Sequence, residues 1–269
     1  MTRRSVGSGV ALAAMLTCTA LVLAQNDKWN SPGLARGNNP NQPVPAGPAP
    51  RRDLTGIWDA GQAGVAGGGQ TAAPFTPWGE EKARTYKPGN GPRMSPLGEI
   101  DDPVSSHGDP AGFPRNVLFE LRPIQIVQTP NQVLILHMWE KRWRVIWTDG
   151  RQLPADPDPR WYGYSVGRWA DDYTLVVQTV GMDERTWLDN SGNPHSDMLK
   201  VEERYHRAAA NSLELTVTID DPKTYARPWT PLNRLHLGLM PNDTDLMEMI
   251  PSATEAAEYQ RSIASPTKK

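Results

Sequence analysis

The stretch "LELTVTID", residues 213–220, decides how this chain folds. Leu213, Leu215, Val217 and Ile219 alternate with Glu214, Thr216, Thr218 and Asp220. A period of two sends the two sets to opposite sides of a pleated strand, one apolar and one wet, so this strand belongs to a sheet with one buried face. Before it stand the turn "AANS" (209–212) and the segment "DMLKVEERYHR" (197–207). Further back come "TLVVQTVGM" (174–182), the turn "ADDY", "WYGYSVGRW" (161–169), the turn "DGR", "RWRVIWT" (142–148), "VLILHMW" (133–139), the turn "TPNQ" and "LRPIQIVQT" (121–129). Forward lies "NRLHLGLM" (233–240). Trp139, Trp143 and Trp147 stand four apart, which also suits a helix, but the β-branched and aromatic residues on both sides of "EKR" favour a hairpin.

Short segments of this kind, joined mostly by tight turns and without a helical pattern for a crossover, exclude a parallel sheet. The expected fold is all-β: an antiparallel meander closing into a barrel, since closure removes exposed edges, with a sandwich as the alternative. Upstream, "DLTGIWDA" (53–60) reads as the first ordered strand and "GQAGVAGGGQTAAP" as flexible. "TPWGEEKARTYK" predicts a short helix capped by Thr76, with Pro77 at its first position. Residues 88–116 read as a long ordered loop that packs through Leu97, Ile100 and Phe113. The tail "PSATEAAEYQRSIASPTKK" predicts one short helix and then frayed chain.

The start of the chain has Arg3 and Arg4, an uncharged apolar run and then Gln25, the order of a secretory signal peptide cleaved after Ala24. Lipidation at Cys18 fits the preceding residues poorly. Four parts are therefore expected: a signal peptide (1–24), a Pro/Gly-rich disordered tether (25–52), a single β-barrel domain (53–250), and a short helix with a frayed tail (251–269). The expected location is periplasmic or extracellular. Cys18 is the only cysteine and leaves with the leader, which excludes disulfides and thiol chemistry from the mature protein. The 28 basic and 30 acidic residues are well mixed, so nothing marks a nucleic-acid surface, and no segment after the leader is apolar for long enough to span a membrane.

The blocks "SVGRW", "TWLD", "GNPHSD" and "TIDDP", within a similarity covering about residues 53–235, make the chain resemble a large family of exported bacterial proteins. The resemblance implies export and carries no activity with it. In that pattern a cysteine often precedes the "GFPR" block, whereas His107-Gly108-Asp109-Pro110 stands here. The meander also looks like the lipocalin-type calycin barrels, which usually bind apolar small molecules inside; this likeness is architectural only.

Candidate chemistry concentrates in "TWLDNSGNPHSDMLKVEERYHR" (186–207). Glu203 shares its parity with Leu199, Val201 and Tyr205, so it points into the barrel if those residues do, while Glu202, Arg204 and His206 face water. A carboxylate there needs a cation or takes up a proton. Arg168, on one face with Tyr162, Tyr164 and Val166, is the candidate cation, and His195, with Asp197 two residues on, is the candidate acid or base at the barrel mouth. The competing reading is a structural buried pair and a histidine that ties down a loop. Asp189, Ser191, Asn193 and Asp197 have an oxygen-rich spacing, yet Pro194 stands where a calcium loop needs Gly, so no metal site is expected. Ser165 and Ser196 lack a nucleophile elbow, and "GVAGGG" lacks the helix and Lys of a phosphate cradle. Asp220 and Asp221 are too close for a glycosidase pair, and Asp221 is expected to cap the turn at Pro222, with Tyr225 and Trp229 covering the opening.

Ten Trp against three Phe point to broad apolar walls. Trp139, Trp143, Trp169 and Trp187, with Tyr164 and Tyr205, are the expected ligand contacts. The leading expectation is an exported binder of an apolar or aromatic small molecule in a Trp-lined cavity, with no cofactor. The alternatives are a cofactor-independent lyase, isomerase or hydrolase using His195 and Glu203, and a structural envelope module.

Overall fold

The computed structural model describes residues 44–65, 72–250, 252–259 and 261. The expected signal peptide and most of the expected tether lie outside these residues. Nine strands form a closed barrel: β1 (Gly56–Asp59), β2 (Ile124–Gln128), β3 (Gln132–His137), β4 (Trp143–Trp147), β5 (Tyr164–Trp169), β6 (Thr174–Val180), β7 (Lys200–Ala209), β8 (Ser212–Asp220) and β9 (Trp229–Leu239), each beside the next and β9 closing on β1. Every expected strand is present, and Trp139 to Trp147 form a hairpin rather than a helix. The meander is not wholly antiparallel. β4 and β5 pair in parallel through Ile146 with Ser165 and Trp147 with Val166. The crossover this demands is an irregular strap, residues 148–163, which runs back along the outside of the barrel; a helix is not required when the chain is free to lie over the sheet.

Tight hairpins β2–β3, β5–β6 and β7–β8 gather at one end of the barrel. At that end the Arg207 guanidinium sits 4.5 Å over the Trp58 ring and donates to the carbonyls of Asp53, Ala209 and Ala210. Long connections gather at the other end. The excursion from β1 to β2 holds short helices α1 (Gly61–Val65), α2 (Pro77–Arg84), α3 (Pro103–His107) and α4 (Arg115–Leu118); α5 (Ala253–Tyr259) follows β9. Among the described residues no helix is long and apolar enough to cross a membrane.

Alternation places the core. Val201, Glu203 and Tyr205 of β7 and Leu213, Leu215, Val217 and Ile219 of β8 are buried, as their parities require. The helix at α2 starts as its sequence dictates: Thr76 accepts from the Gly79 amide at 3.0 Å and Pro77 occupies the first turn. The long loop is ordered, with Phe113 fully buried, but Leu97 is exposed because the 3-10 turn at Leu97–Glu99 lies on the surface. The loop continues into α4, all four of whose residues are buried, so this segment plugs the barrel end. A buried helix needs its donors satisfied. Asn116, Val117, Leu118 and Phe119 donate to Gly112, Pro114, Pro114 and Arg115. Gly112 turns the plug with φ at 71°, where a Cβ would lie 2.8 Å from the Trp161 carbonyl oxygen and 2.4 Å from Thr186 Cγ2.

Candidate functional site

Inside the barrel Arg144, Glu203, Tyr205, Ser165 and Thr179 form one buried polar network. Glu203 is fully buried, and its carboxylate accepts both terminal nitrogens of Arg144, Nη1 at 2.9 Å and Nη2 on the second oxygen, together with the Tyr205 hydroxyl at 2.8 Å. Arg144 also donates from Nε to Ser165 Oγ at 3.0 Å and from Nη2 to Thr179 Oγ1 at 2.8 Å, and those hydroxyls lie 2.9 Å apart. The Phe113 ring of the plug covers the guanidinium at 3.8 Å. Burial works against the charged Arg144, but the Glu203 carboxylate outweighs it and holds the guanidinium more firmly protonated than usual. Burial, then Glu203, pushes the Tyr205 phenol well up. His137 lies beside this network and pairs with the Asn116 amide of the plug, 3.2 Å from Nε2. Burial, then the Arg144 charge, brings its pKa down to about 3, so the ring is neutral.

Glu203 therefore points inward as its parity requires, but its cation is Arg144, not Arg168. The reason lies in "WYGYSVGRW", where both parities read as half apolar. The inner face is Ser165 and Gly167, small enough to leave room for Arg144; a Cβ on Gly167 would stand 2.8 Å from Ile146 Cγ2. The set Tyr164, Val166 and Arg168 faces outward under the strap. Arg168 is exposed and, among the described residues, donates only to the Arg151 carbonyl, at 3.3 Å. Arg144 has a legible signal in its own strand, where it shares parity with Ile146 against Trp143, Val145 and Trp147. The tryptophan spacing obscured that signal.

His195 is not at an open mouth; it is buried in the β6–β7 connection. Its Nε2 lies 2.8 Å from Thr186 Oγ1 and its Nδ1 3.2 Å from the Ser196 carbonyl. Burial lowers its pKa against the opposing pull of that carbonyl and the Asp221 charge. No hydrogen bond connects it with Glu203. Asp197 is 70 % exposed and pairs with Lys223 at 3.3 Å, on the solvent side. The oxygen-rich loop before it is turned on itself. Asp189 accepts from the Ser191 and Asn193 amides and from Asn193 Nδ2, while Arg93 Nη2 binds the Ser191 and Gly192 carbonyls and Asn193 Oδ1.

Asp221 anchors this connection. Buried at the turn before Pro222, it accepts from Ser196 N and Oγ, each at 2.7 Å, and from Thr224 N and Oγ1 at 3.2 and 2.7 Å. Tyr225 stands over the same loop and donates to the Pro194 carbonyl at 2.7 Å. Asp221→Ala removes four bonds at once and strands the buried Ser196 amide, while the Thr224 amide keeps the Asp221 backbone carbonyl at 3.0 Å. Urea unfolding at neutral pH is expected to show a loss of about 3 kcal/mol, with faster proteolysis within residues 189–197. A loss below about 1 kcal/mol would mean the loop is held by other contacts.

The tryptophans do not converge on a common hollow. Trp143 is 68 % exposed. Trp139 is half-buried beside Met249, Trp169 packs at the edge of the barrel core, and Trp187 stacks on Tyr86 with ring centroids 4.8 Å apart. Tyr164 lies under the Arg160 guanidinium at 3.9 Å. Tyr205 is inside the barrel but committed to Glu203. The core is instead built from aliphatic side chains such as Ile124, Ile126, Val177 and Leu215, with Trp58 among them.

Concave surface lies on the outer wall and at the plugged end. A groove of about 620 Å³ separates the strap, at Leu153, Pro154, Ala155 and Pro157, from outward positions of β6–β8 and from Met198. A second, of about 370 Å³, continues it along β5 and β6 past Val166, Arg168 and Val176, sharing Leu153 and Gln178. A third, of about 450 Å³, lies near the plugged end between Tyr86, Trp187, His107 and Glu184. There burial, then the charges of Glu184 and Asp101, raises the Tyr86 phenol to about 12. In comparisons with protein-family models, curated proteins and solved structures, nothing matches this chain.

Proposed function

We propose that this protein is an exported, non-catalytic binder of an apolar or aromatic small molecule, and that the ligand lies against the outer wall of the barrel under the strap. The supporting observation is the 620 Å³ groove, a size suited to a small ligand, with Leu153, Pro154, Ala155, Pro157, Val180 and Met198 on its walls and polar groups at its rim. Met198 stands 48 % exposed there, an apolar side chain on the groove wall. Acid–base catalysis is the weaker reading, since Glu203 has both oxygens engaged and His195 is sealed within its loop. Export rests on the charged, apolar and then polar order of residues 1–25, and the resemblance of the "SVGRW" to "TIDDP" blocks is consistent with it.

The test is titration with N-phenyl-1-naphthylamine, an uncharged aromatic fluorophore. The expected result is saturable binding of one probe per chain. Ala155→Trp, which fills the groove from the exposed strap, is expected to weaken it at least tenfold at unchanged melting temperature. Equal binding by the variant, or no saturable binding by the unmodified protein, overturns the proposal.

A further inference from the structure

Resting on the groove reading above, we infer that the ligand is an amphiphile whose anionic head group is held by Arg168 while its apolar body runs under the strap. Cross-strand register orders the outer wall into rows. Arg168, Val176 and Arg204 form one row, and Val166, Gln178 and Glu202 the next. Tyr164 and Val180 begin the third. The wall thus carries two arginines at one end, and its apolar surface beyond them comes from Val166, Tyr164 and Val180 together with Leu153, Pro154 and Pro157 of the strap. From the Arg168 row to the Val180 row is four residues, about 13 Å along the strand, enough for a head group and a two-ring body.

The charges favour an anion at that end. Glu202, the carboxylate one row from Arg168, is already countered by Arg204 at 3.7 Å, and Asp197, beyond the Lys200 end of the wall, faces Lys223 at 3.3 Å. Asp220 lies at the far end, opposite Lys200 in the β7–β8 register. Arg168 makes no ion pair among the described residues, and its one hydrogen bond, to the Arg151 carbonyl, leaves most of the guanidinium fork unused. Around it the groove offers the amides of Gln152 and Gln178 above an apolar floor of Leu153, Val166 and Val176. A planar guanidinium with neutral donors beside it suits a carboxylate or sulfonate, which it can bind through two parallel bonds. Low-dielectric walls strengthen that attraction relative to open solvent.

Two probes that differ only in the head group separate this inference from the reading it rests on. 8-Anilinonaphthalene-1-sulfonate is N-phenyl-1-naphthylamine with one sulfonate added. The unmodified protein is expected to bind the sulfonate at least tenfold more tightly, with the preference shrinking as sodium chloride is raised. Arg168→Gln is expected to abolish the preference and leave the neutral probe within about twofold; Arg142→Gln, the same charge change on the exposed β3–β4 turn, is expected to alter neither affinity. If the neutral probe binds but the sulfonate binds no better, or Arg168→Gln leaves the preference intact, the head-group assignment is wrong and the groove reading stands. If neither probe binds, both are wrong.

Discussion

Replacing Glu203 by Leu is expected to cost the fold about 3–5 kcal/mol, close to half the stability of an ordinary domain. The loss comes chiefly from what is left behind. Arg144 is sealed between β3, β5 and the Phe113 ring, and four of its five N–H groups are directed at Glu203, Ser165 and Thr179. Without the carboxylate its positive charge stays in an aliphatic interior with no counter-ion, and the Tyr205 hydroxyl loses its acceptor. Removing both charges together, as Arg144→Met with Glu203→Leu, fills nearly the same volume and leaves Ser165 and Thr179 the bond they already share, so most of the loss is expected to return. Urea unfolding of the two single variants and the double one measures the coupling directly. Additive losses would mean that the two groups do not depend on each other, and the network described above would be wrong.

Acid is expected to unfold the protein through its buried imidazoles, His137 most of all. Its folded pKa of about 3 lies below the ordinary value of 6.5 for a free ring. Between those values the unfolded chain carries one proton more than the native state at this site, so stability falls as pH falls. The contribution is complete above pH 6.5 and is lost toward pH 3, at about 1.4 kcal/mol per pH unit. His195, lowered in the same direction by burial, adds to the trend. A His137→Gln variant keeps a polar partner for Asn116 but has no proton to gain. Between pH 7 and 4 it is expected to lose about 3 kcal/mol less stability than the unmodified protein. Parallel stability–pH curves would show that His137 is protonated in the native state or reached by water.

The internal ion pair was half legible. Parity within "DMLKVEERYHR" is unambiguous, because Leu199, Val201 and Tyr205 leave Glu203 no choice but the interior. Parity within "WYGYSVGRW" is not, because Tyr164 and Val166 on one face look as apolar as Trp169 on the other. The face that carries Arg168 is covered by the strap, sixteen residues with little regular structure, and no pattern inside β5 reports that cover. His195 failed for a similar reason. The barrel mouth was the place expected for it, whereas Asp221, from a different connection, draws the loop inward through Ser196.

Local chemistry written into the chain was enough to place nine strands, the Thr76 cap, the Asp221 turn and the inward Glu203, since each depends on a period or a bond between near neighbours. Choosing between two apolar faces, joining Arg144 to Glu203 across a sequence separation of 59 and raising a groove on the outer wall all depended on the closed fold. Those outcomes follow from which distant segment comes to lie on a surface, and the competition among segments for that place is resolved by packing the whole barrel at once.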